Sequence, residues 1–382
     1  MKLKDTIANF YLNIQKNLFP SVEEELGPLT KKQQKLIRIL ELISIEKFIK
    51  QENRRYKGRP ATDRQILARA FVSKTVYNIP RNNQLREQIL SDKVLREICG
   101  WDCNGKVPSE STFSRAFSEF SELKLPEIAH ESLIKESLGN QLIGHVSRDS
   151  TAISAREQPS KNVRKSKNKK KKHKRGRPKK GEIREPEELS RLQKQQDMDL
   201  DEMLLDLPKQ CDVGNKADSK GYKTSWTGYK LHIDTADGDI PISCVLTSAS
   251  VHDSQVALPL AEITNKRITN LYDLMDAAYD SPIIKEHSKS LNHLPLIDIN
   301  PRRNREKKEE LKKESKRQRK LNVKIPEKLR YNERSSVERV NGRLKDEFGG
   351  RFLRVKGHKK VMAHLMFGIL VLTADQLFKL IT

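Results

Sequence analysis

Between Gln141 and Arg302 the chain carries four runs that a β-sheet absorbs more readily than a helix. QLIGHVSRDS (141–150) is strand-like and stops on Arg148-Asp149-Ser150. YKLHIDTADGDIPISCVLTSAS (229–250) alternates on either side of an Asp-Gly pair at 237–238, the signature of a hairpin. ITNLYDLMD (268–276) ends on Asp276, and LPLIDINPR (294–302) reads as a further strand. A strongly apolar segment, HKKVMAHLMFGILVLTADQLFKLIT (358–382), then has the composition of a core helix. Its Lys, His and Asp residues argue against a membrane span. Strands followed by helices imply an α/β layered domain.

The residues ahead of these strands read differently. KKQQKLIRILELISIEKFIK (31–50) spaces Leu36, Ile39, Leu40, Ile43 and Phe48 as one amphipathic helix. From Gly58 to Lys135 the pattern is helical throughout. Phe113, Phe117 and Phe120 recur at helical spacing after a Ser N-cap signal, which favours a core role for the rings. A helix-turn-helix with Ser and Arg residues facing DNA is the alternative there. The expected organisation is a helical segment over 1–57, a helical domain over 58–135 and an α/β domain over 136–382, with a disordered basic insert at about 157–217.

Charge narrows the partners. The chain holds 75 Lys and Arg against 51 Asp and Glu, a formal excess of +24 that points to a polyanion. Nucleic acid is the first choice, because Lys and Arg displace counterions condensed on phosphates. Residues 161–180 contain 13 basic residues and no acid, which predicts disorder until DNA is met. Within them Arg175-Gly176-Arg177-Pro178 resembles an AT-hook, which lies in the narrow minor groove of A·T-rich DNA. Residues 301–330 mix 14 basic with 5 acidic residues and read as a charged helical excursion. The four cysteines form neither a disulfide framework nor a zinc pattern at their spacing, which suits a reducing cytoplasm.

YNERSSVERVNGRLK (331–345) is the most specific stretch. Tyr331, Arg334, Glu338 and Lys345 follow one another at three, four and seven residues. On a continuous α-helix, at about 100° per residue, they share one face, with Val337, Val340 and Leu344 opposite. Asp149 and Asp276 each close a predicted strand, and strand ends along one sheet edge converge. Three carboxylates so gathered repel one another, and divalent cations relieve that repulsion. Mg²⁺ suits such a set, since it takes oxygen ligands from one or two carboxylates and from phosphates. A pair of such ions serves both the attacking and the leaving oxygen in phosphodiester cleavage.

The chain resembles the DDE transposases of bacterial insertion sequences that carry a Tyr-x2-Arg-x3-Glu-x6-Lys signature, matched here by Tyr331, Arg334, Glu338 and Lys345. Arg148-Asp149-Ser150-Thr151, GYKTSWTGYKLHID, VHDS (251–254) and DAAYDS with Asp276 extend the likeness, as do KGRPATDRQILARAF and PSESTFSRAF near the start.

The resemblance implies an RNase H-like fold, a mixed sheet flanked by helices, behind an all-α N-terminal domain. It implies Asp149, Asp276 and Glu338 as the catalytic and metal-binding triad, holding two Mg²⁺ ions for which Mn²⁺ can substitute. Arg334, Lys345 and Tyr331 would hold phosphates, and the active complex would be a homodimer on the element's terminal repeats and target DNA, with no membrane partner. A bacterial nucleoid setting follows. Some relatives carry a β-rich insertion between the second Asp and the Glu, whereas only 61 mostly charged residues intervene here. Trp226 is a candidate for stacking on a base, with a core or rim role at least as favoured. His252-Asp253 is expected to be a hydrogen-bonded structural pair, His232 a sheet-face residue and Lys230 a solvated one. A transposase-derived DNA-binding protein and a nuclease that does not join strands are the alternative readings.

Overall fold

A computed structural model describes residues 3–49, 62–102, 105–159, 189–217, 221–302, 304–321 and 325–380. The basic tract at 161–180, with Arg175, Gly176, Arg177 and Pro178, lies outside the described residues.

Among the described residues, eight α-helices precede the sheet: α1 (Leu3–Asn13), α2 (Phe19–Leu26), α3 (Lys31–Ile43), α4 (Arg64–Val76), α5 (Asn82–Ser91), α6 (Lys93–Cys99), α7 (Glu110–Glu122) and α8 (Leu125–Leu138). Helix α3 opens on a capping box, with the Thr30 side chain accepting from the Gln33 N–H and the Gln33 side chain answering it. It buries Leu36, Ile39, Leu40 and Ile43 as the spacing predicts. It stops at Ile43 rather than near 50, because Ser44 turns left-handed and a 3₁₀ turn carries Ile45–Phe48. Phe113, Phe117 and Phe120 are buried around Phe71 of α4, so the phenylalanines belong to the core. Residues 100–109 separate α6 from α7, whereas only Leu123 and Lys124 separate α7 from α8.

Among the described residues the sheet has six strands: β1 (Leu142–Ser154), β2 (Asp212–Ala217), β3 (Lys223–Ala236), β4 (Ile240–Ser248), β5 (Thr269–Met275) and β6 (Leu294–Ile297). Their order is β2-β3-β1-β5-β6, with β4 also on β3. Strands β1, β5 and β6 run parallel, and β2, β3 and β4 pair antiparallel. The hairpin turns at Asp237-Gly238-Asp239, with positive φ at Gly238 and Asp239, one residue later than the Asp-Gly pair at 237–238 suggested.

Later helices cover both faces: α11 (Ala257–Asn265), α12 (Pro282–Ser290), α14 (Pro326–Tyr331), α15 (Ser335–Asp346) and α16 (His358–Lys379), with α13 (Arg305–Leu321) between β6 and α14. A helical N-terminal region followed by a mixed sheet with helices on it matches the RNase H-like class. Helix α16 has the length and apolarity to cross a membrane, but 83% of its apolar window is buried inside the protein. It packs on α3, α4, α7 and α8 as well as on β4 and α15, so one core runs through both regions.

The expected disordered insert is partly folded. After Leu189 come α9 (Arg191–Lys194) and α10 (Leu200–Asp206), and the segment ends as edge strand β2. Met203 and Leu207 are buried, with Leu192, Met198 and Leu204 packed beside them under α11 and the 277–279 turn. Those apolar residues supply the burial that folds this part of the segment.

Candidate active site

Strand β1 runs past Asp149 to Ser154, so this aspartate is not a strand terminus as its sequence suggested. The antiparallel neighbour β3 keeps β1 paired as far as Ser154, opposite Gly228. The parallel pairing with β5, however, stops at Arg148 opposite Met275. Asp149 and Asp276 are therefore the next residues on adjacent strands, just where the parallel ladder ends. Asp276 caps the 3₁₀ turn Ala277–Tyr279, its Oδ1 accepting from the Ala278 N–H at 2.9 Å.

Buried polar bonds fix this junction from below. Arg148 is 2% exposed and forks onto Asp234 of β3 at 2.8 and 2.6 Å. It also reaches the Met275 sulfur, and Asp234 accepts from Thr264 of α11. The residue before each aspartate is thus tied to the other strand. Ser150, on the far side of Asp149, donates to Asp253 at 2.8 Å. Asp253 pairs with Lys230 at 3.1 Å rather than with His252, which caps the following turn through Ser254. Lys230 also donates to the Val251 carbonyl, so it is neither solvated nor free for DNA. His232 is fully buried on the sheet face, with its Nε2 on Thr247.

Residues 331–345 do not form one straight helix. Tyr331 ends α14, Asn332–Arg334 make a 3₁₀ turn, and α15 begins at Ser335. The tighter turn breaks the single-face arrangement predicted for all four signature residues. Val337, Val340 and Leu344 are buried as expected and seat α15 over β1 and β3. Two ion pairs hold its orientation: Arg339 forks onto Asp239 of the hairpin turn, and Arg343 meets Asp375 of α16 at 2.5 Å. Asp375 also takes Lys35 of α3 at 2.7 Å, linking the N-terminal helices to this support.

Arg334 stands among the acids. It pairs with Glu338 at 2.8 Å. Burial opposes its charge, but Tyr331, Glu338, Asp149 and Asp276 together hold its pKa above the ordinary value. Asp149 is pushed up to about 6 by burial and by the negative charges of Asp276 and Asp253, with the Ser150 N–H and Arg334 working the other way. The Glu338 side chain is 56% exposed and turned to Arg334. Among the described residues, no three His, Cys, Asp or Glu side chains share one metal-sized site. Asp149 and Asp276 meet; Glu338 does not join them in this arrangement.

The residues fit a divalent cation nonetheless. Tyr279 is buried, and its hydroxyl has no hydrogen-bond partner although Asp253, Asp149 and Asp276 all bear on it. Surplus negative charge on a half-buried carboxylate pair is what Mg²⁺ neutralises with two protein oxygens and several from phosphate or solvent. Each of the three stands in a stretch that carries the resemblance, Arg148 in Arg148-Asp149-Ser150-Thr151, Asp234 at the end of GYKTSWTGYKLHID and Tyr279 in DAAYDS, but no spacing in the sequence placed them together at this junction.

The other candidates sit on α14, α15 and β3. The Tyr331 hydroxyl lies beside Asp298 without hydrogen-bond geometry, and burial raises its pKa. Lys345 is half-buried on α15, where burial and the cations Arg351 and Lys216 lower its pKa. Trp226 donates its indole N–H to the Tyr229 carbonyl and lays its ring over Gly214, where any Cβ would collide with it. It is half-buried on β3.

A transposase DDE domain matches residues 192–374, and a transposase domain of the DUF772 type matches residues 24–119. The chain belongs to the DDE transposases. The two matches cover most of it, the second falling on the N-terminal helices and the first on the sheet with Asp276, Glu338 and the flanking helices. In this transposase Asp149 lies ahead of the matched DDE residues, on the strand that pairs with β5. No curated protein matches the chain.

Proposed function

We propose that this transposase binds the ends of an insertion sequence and cleaves and joins DNA there with Asp149, Asp276 and Glu338 as its metal ligands. The observation that supports this most is the placement of Asp149 beside Asp276 at the end of the parallel ladder, with Asp149 pushed up to about 6. Asp149 and Asp276 would hold the first Mg²⁺. Glu338 would complete the set by leaving its present ion pair with Arg334. The ions, when bound, supply charge neutralisation at the scissile phosphate and activation of the attacking oxygen.

The remaining work belongs to the chain's own groups. Arg334, released from Glu338, would take a phosphate oxygen by charge-assisted hydrogen bonds. Lys345, with Lys216 and Arg351 near it, would hold the backbone further along α15. Arg148 and Asp234 keep the two aspartates in register while the chemistry proceeds.

The test is cleavage of plasmid DNA that carries the coding region with its flanks, in Mg²⁺ and in chelator. Nicking at matched flanking repeats, followed by joined products, is the expected result, lost in Asp149→Ala and Asp276→Ala with DNA binding kept. Cleavage without joined products would make the protein a nuclease. Full cleavage by either alanine variant would remove the carboxylates from the reaction.

A further inference from the structure

Tyr279 is a buried donor without an acceptor. The residue is 1% exposed, and its ring packs among Met203, Ala257, Leu258, Met275 and Ile284. Its hydroxyl has no hydrogen-bond partner among the described residues. A buried tyrosine ordinarily sets its ring in apolar surroundings and its O–H on an acceptor, and an unmade bond there costs stability. The backbone fixes where the ring goes. Asp276 caps the 3₁₀ turn Ala277–Tyr279, and the Tyr279 N–H donates to the Asp276 carbonyl at 3.0 Å. This turn packs on the turn Asp253–Val256. Burial first, and then the negative charges of Asp253, Asp149 and Asp276, hold the phenol proton in place, with Arg148 working the other way. Toward a carboxylate the hydroxyl is therefore a donor.

The three carboxylates around it differ in what they already hold. Asp253 Oδ1 accepts from Ser150 at 2.8 Å and from Lys230 at 3.1 Å. Asp276 Oδ1 accepts from the Ala278 N–H at 2.9 Å. Asp149 takes the Ser150 N–H, and among the described residues no side chain donates to it. It is the carboxylate with the most acceptor capacity left. A carboxylate that binds a cation through one oxygen keeps the other for a donor behind it, and such donors set both the orientation and the affinity of the ligand. The turn that carries Tyr279 starts at the second aspartate, so the hydroxyl is tied to Asp276 along the chain and faces Asp149 across space.

We infer that Tyr279 is a positioning residue for the metal ligands: its hydroxyl donates to the free oxygen of Asp149 when that carboxylate binds a divalent cation together with Asp276. The inference deepens the proposed reaction and rests on it for the cation. Tyr279 acts through Asp149 and not on DNA. Arg148 holds the backbone register of the two strands; Tyr279 orients the side chain that the register brings into place.

The test is Tyr279→Phe in the full chain, with Mg²⁺ affinity from calorimetry and thermal melts in chelator and in Mg²⁺. Binding is counted as the part that Asp149→Ala loses. Mg²⁺ affinity should fall roughly tenfold, the lower end of the ~10–100-fold range for losing a donor behind a metal ligand. The melt in chelator should lie at or above the wild type, because no bond is lost and an unpartnered buried hydroxyl is removed. The rise in melting temperature on adding Mg²⁺ should be smaller than in the wild type at the same concentration. Tyr229→Phe is the reference: its hydroxyl already donates to Glu157 at 3.1 Å, so that variant should melt lower in chelator and bind Mg²⁺ as the wild type does. A tyrosine that only fills the core leaves Mg²⁺ affinity unmoved, and that result overturns the inference. A lower melt of Tyr279→Phe in chelator also overturns it, since the hydroxyl would then have a partner without metal, and so does an equal loss of affinity in Tyr229→Phe. A wild type that binds no Mg²⁺ overturns the metal-ligand reading and this inference with it; wild-type binding with unaltered affinity in Tyr279→Phe overturns the inference alone.

Discussion

Replacing Asp149 by asparagine should make the metal-free protein more stable while abolishing cleavage. The folded carboxyl titrates near 6 against an ordinary 3.8, so between those values the unfolded chain releases a proton that the folded chain keeps. Stability of the wild type therefore falls as pH rises from about 4 to about 6, and the cost is complete above that range. At ~1.4 kcal/mol per tenfold in proton affinity, the gap corresponds to about 3 kcal/mol. Asparagine keeps the shape and the Ser150 N–H contact but carries no charge beside Asp276 and Asp253. The assay is thermal melting in chelator at pH 4 and pH 8. A gain of roughly 4 °C is expected at pH 8, taking ~2.1 cal/mol/K per residue over 382 residues. No gain is expected at pH 4, and added Mg²⁺ should raise the wild-type melt alone. A variant that melts at or below the wild type at pH 8 in chelator would refute the account of strained, metal-ready carboxylates.

Three further outcomes follow from the same geometry. Arg334→Ala removes the cation that holds Asp149 down, so Mg²⁺ binding, followed by calorimetry, should need a higher pH than in the wild type. Arg148→Met leaves Asp234 buried without its partner and should cost about 3–5 kcal/mol in chemical denaturation, whereas Arg148→Met with Asp234→Leu should recover much of that loss. Lys345→Ala should weaken binding of cleaved DNA ends roughly tenfold in a gel-shift titration, about 1.4 kcal/mol, with the melt unaltered.

Periodicity carried the layered class because its signals were local. The Asp-Gly turn, the alternation on β3 and β4 and the apolar face of α15 each rest on neighbours within a few residues. Asp149 and Asp276 were visible as carboxylates beside strand-like runs, and their adjacency follows from the parallel pairing of β1 with β5. What escaped the sequence was non-local or irregular. The extension of β1 to Ser154 depends on β3, a partner some 70 residues later. The 3₁₀ turn at Asn332–Arg334 is a change of pitch that no spacing of side chains announces, and it sets Tyr331 apart from Glu338. The buried Arg148–Asp234 pair joins residues 86 apart in the chain, and no local spacing announces it. Residues 189–217 were hidden by their neighbourhood, since a lysine tract masked the few methionines and leucines that fold them.

The packing of α16 has a consequence for the order in which the protein is made. Phe367 stacks on Phe117 and meets Phe71, both in helices that leave the ribosome early. Helix α8 ends at Leu138 and α16 begins at His358, so more than two hundred residues are synthesised before that surface is covered. During that interval the N-terminal helices present an open aromatic face, and Asp375 is not yet there to pair with Arg343 and steady α15. A nascent chain can thus acquire its nucleic-acid affinity, through lysines and arginines already translated, well before it has a rigid catalytic centre. A product that ends before His358 would leave that aromatic face uncovered and open to aggregation.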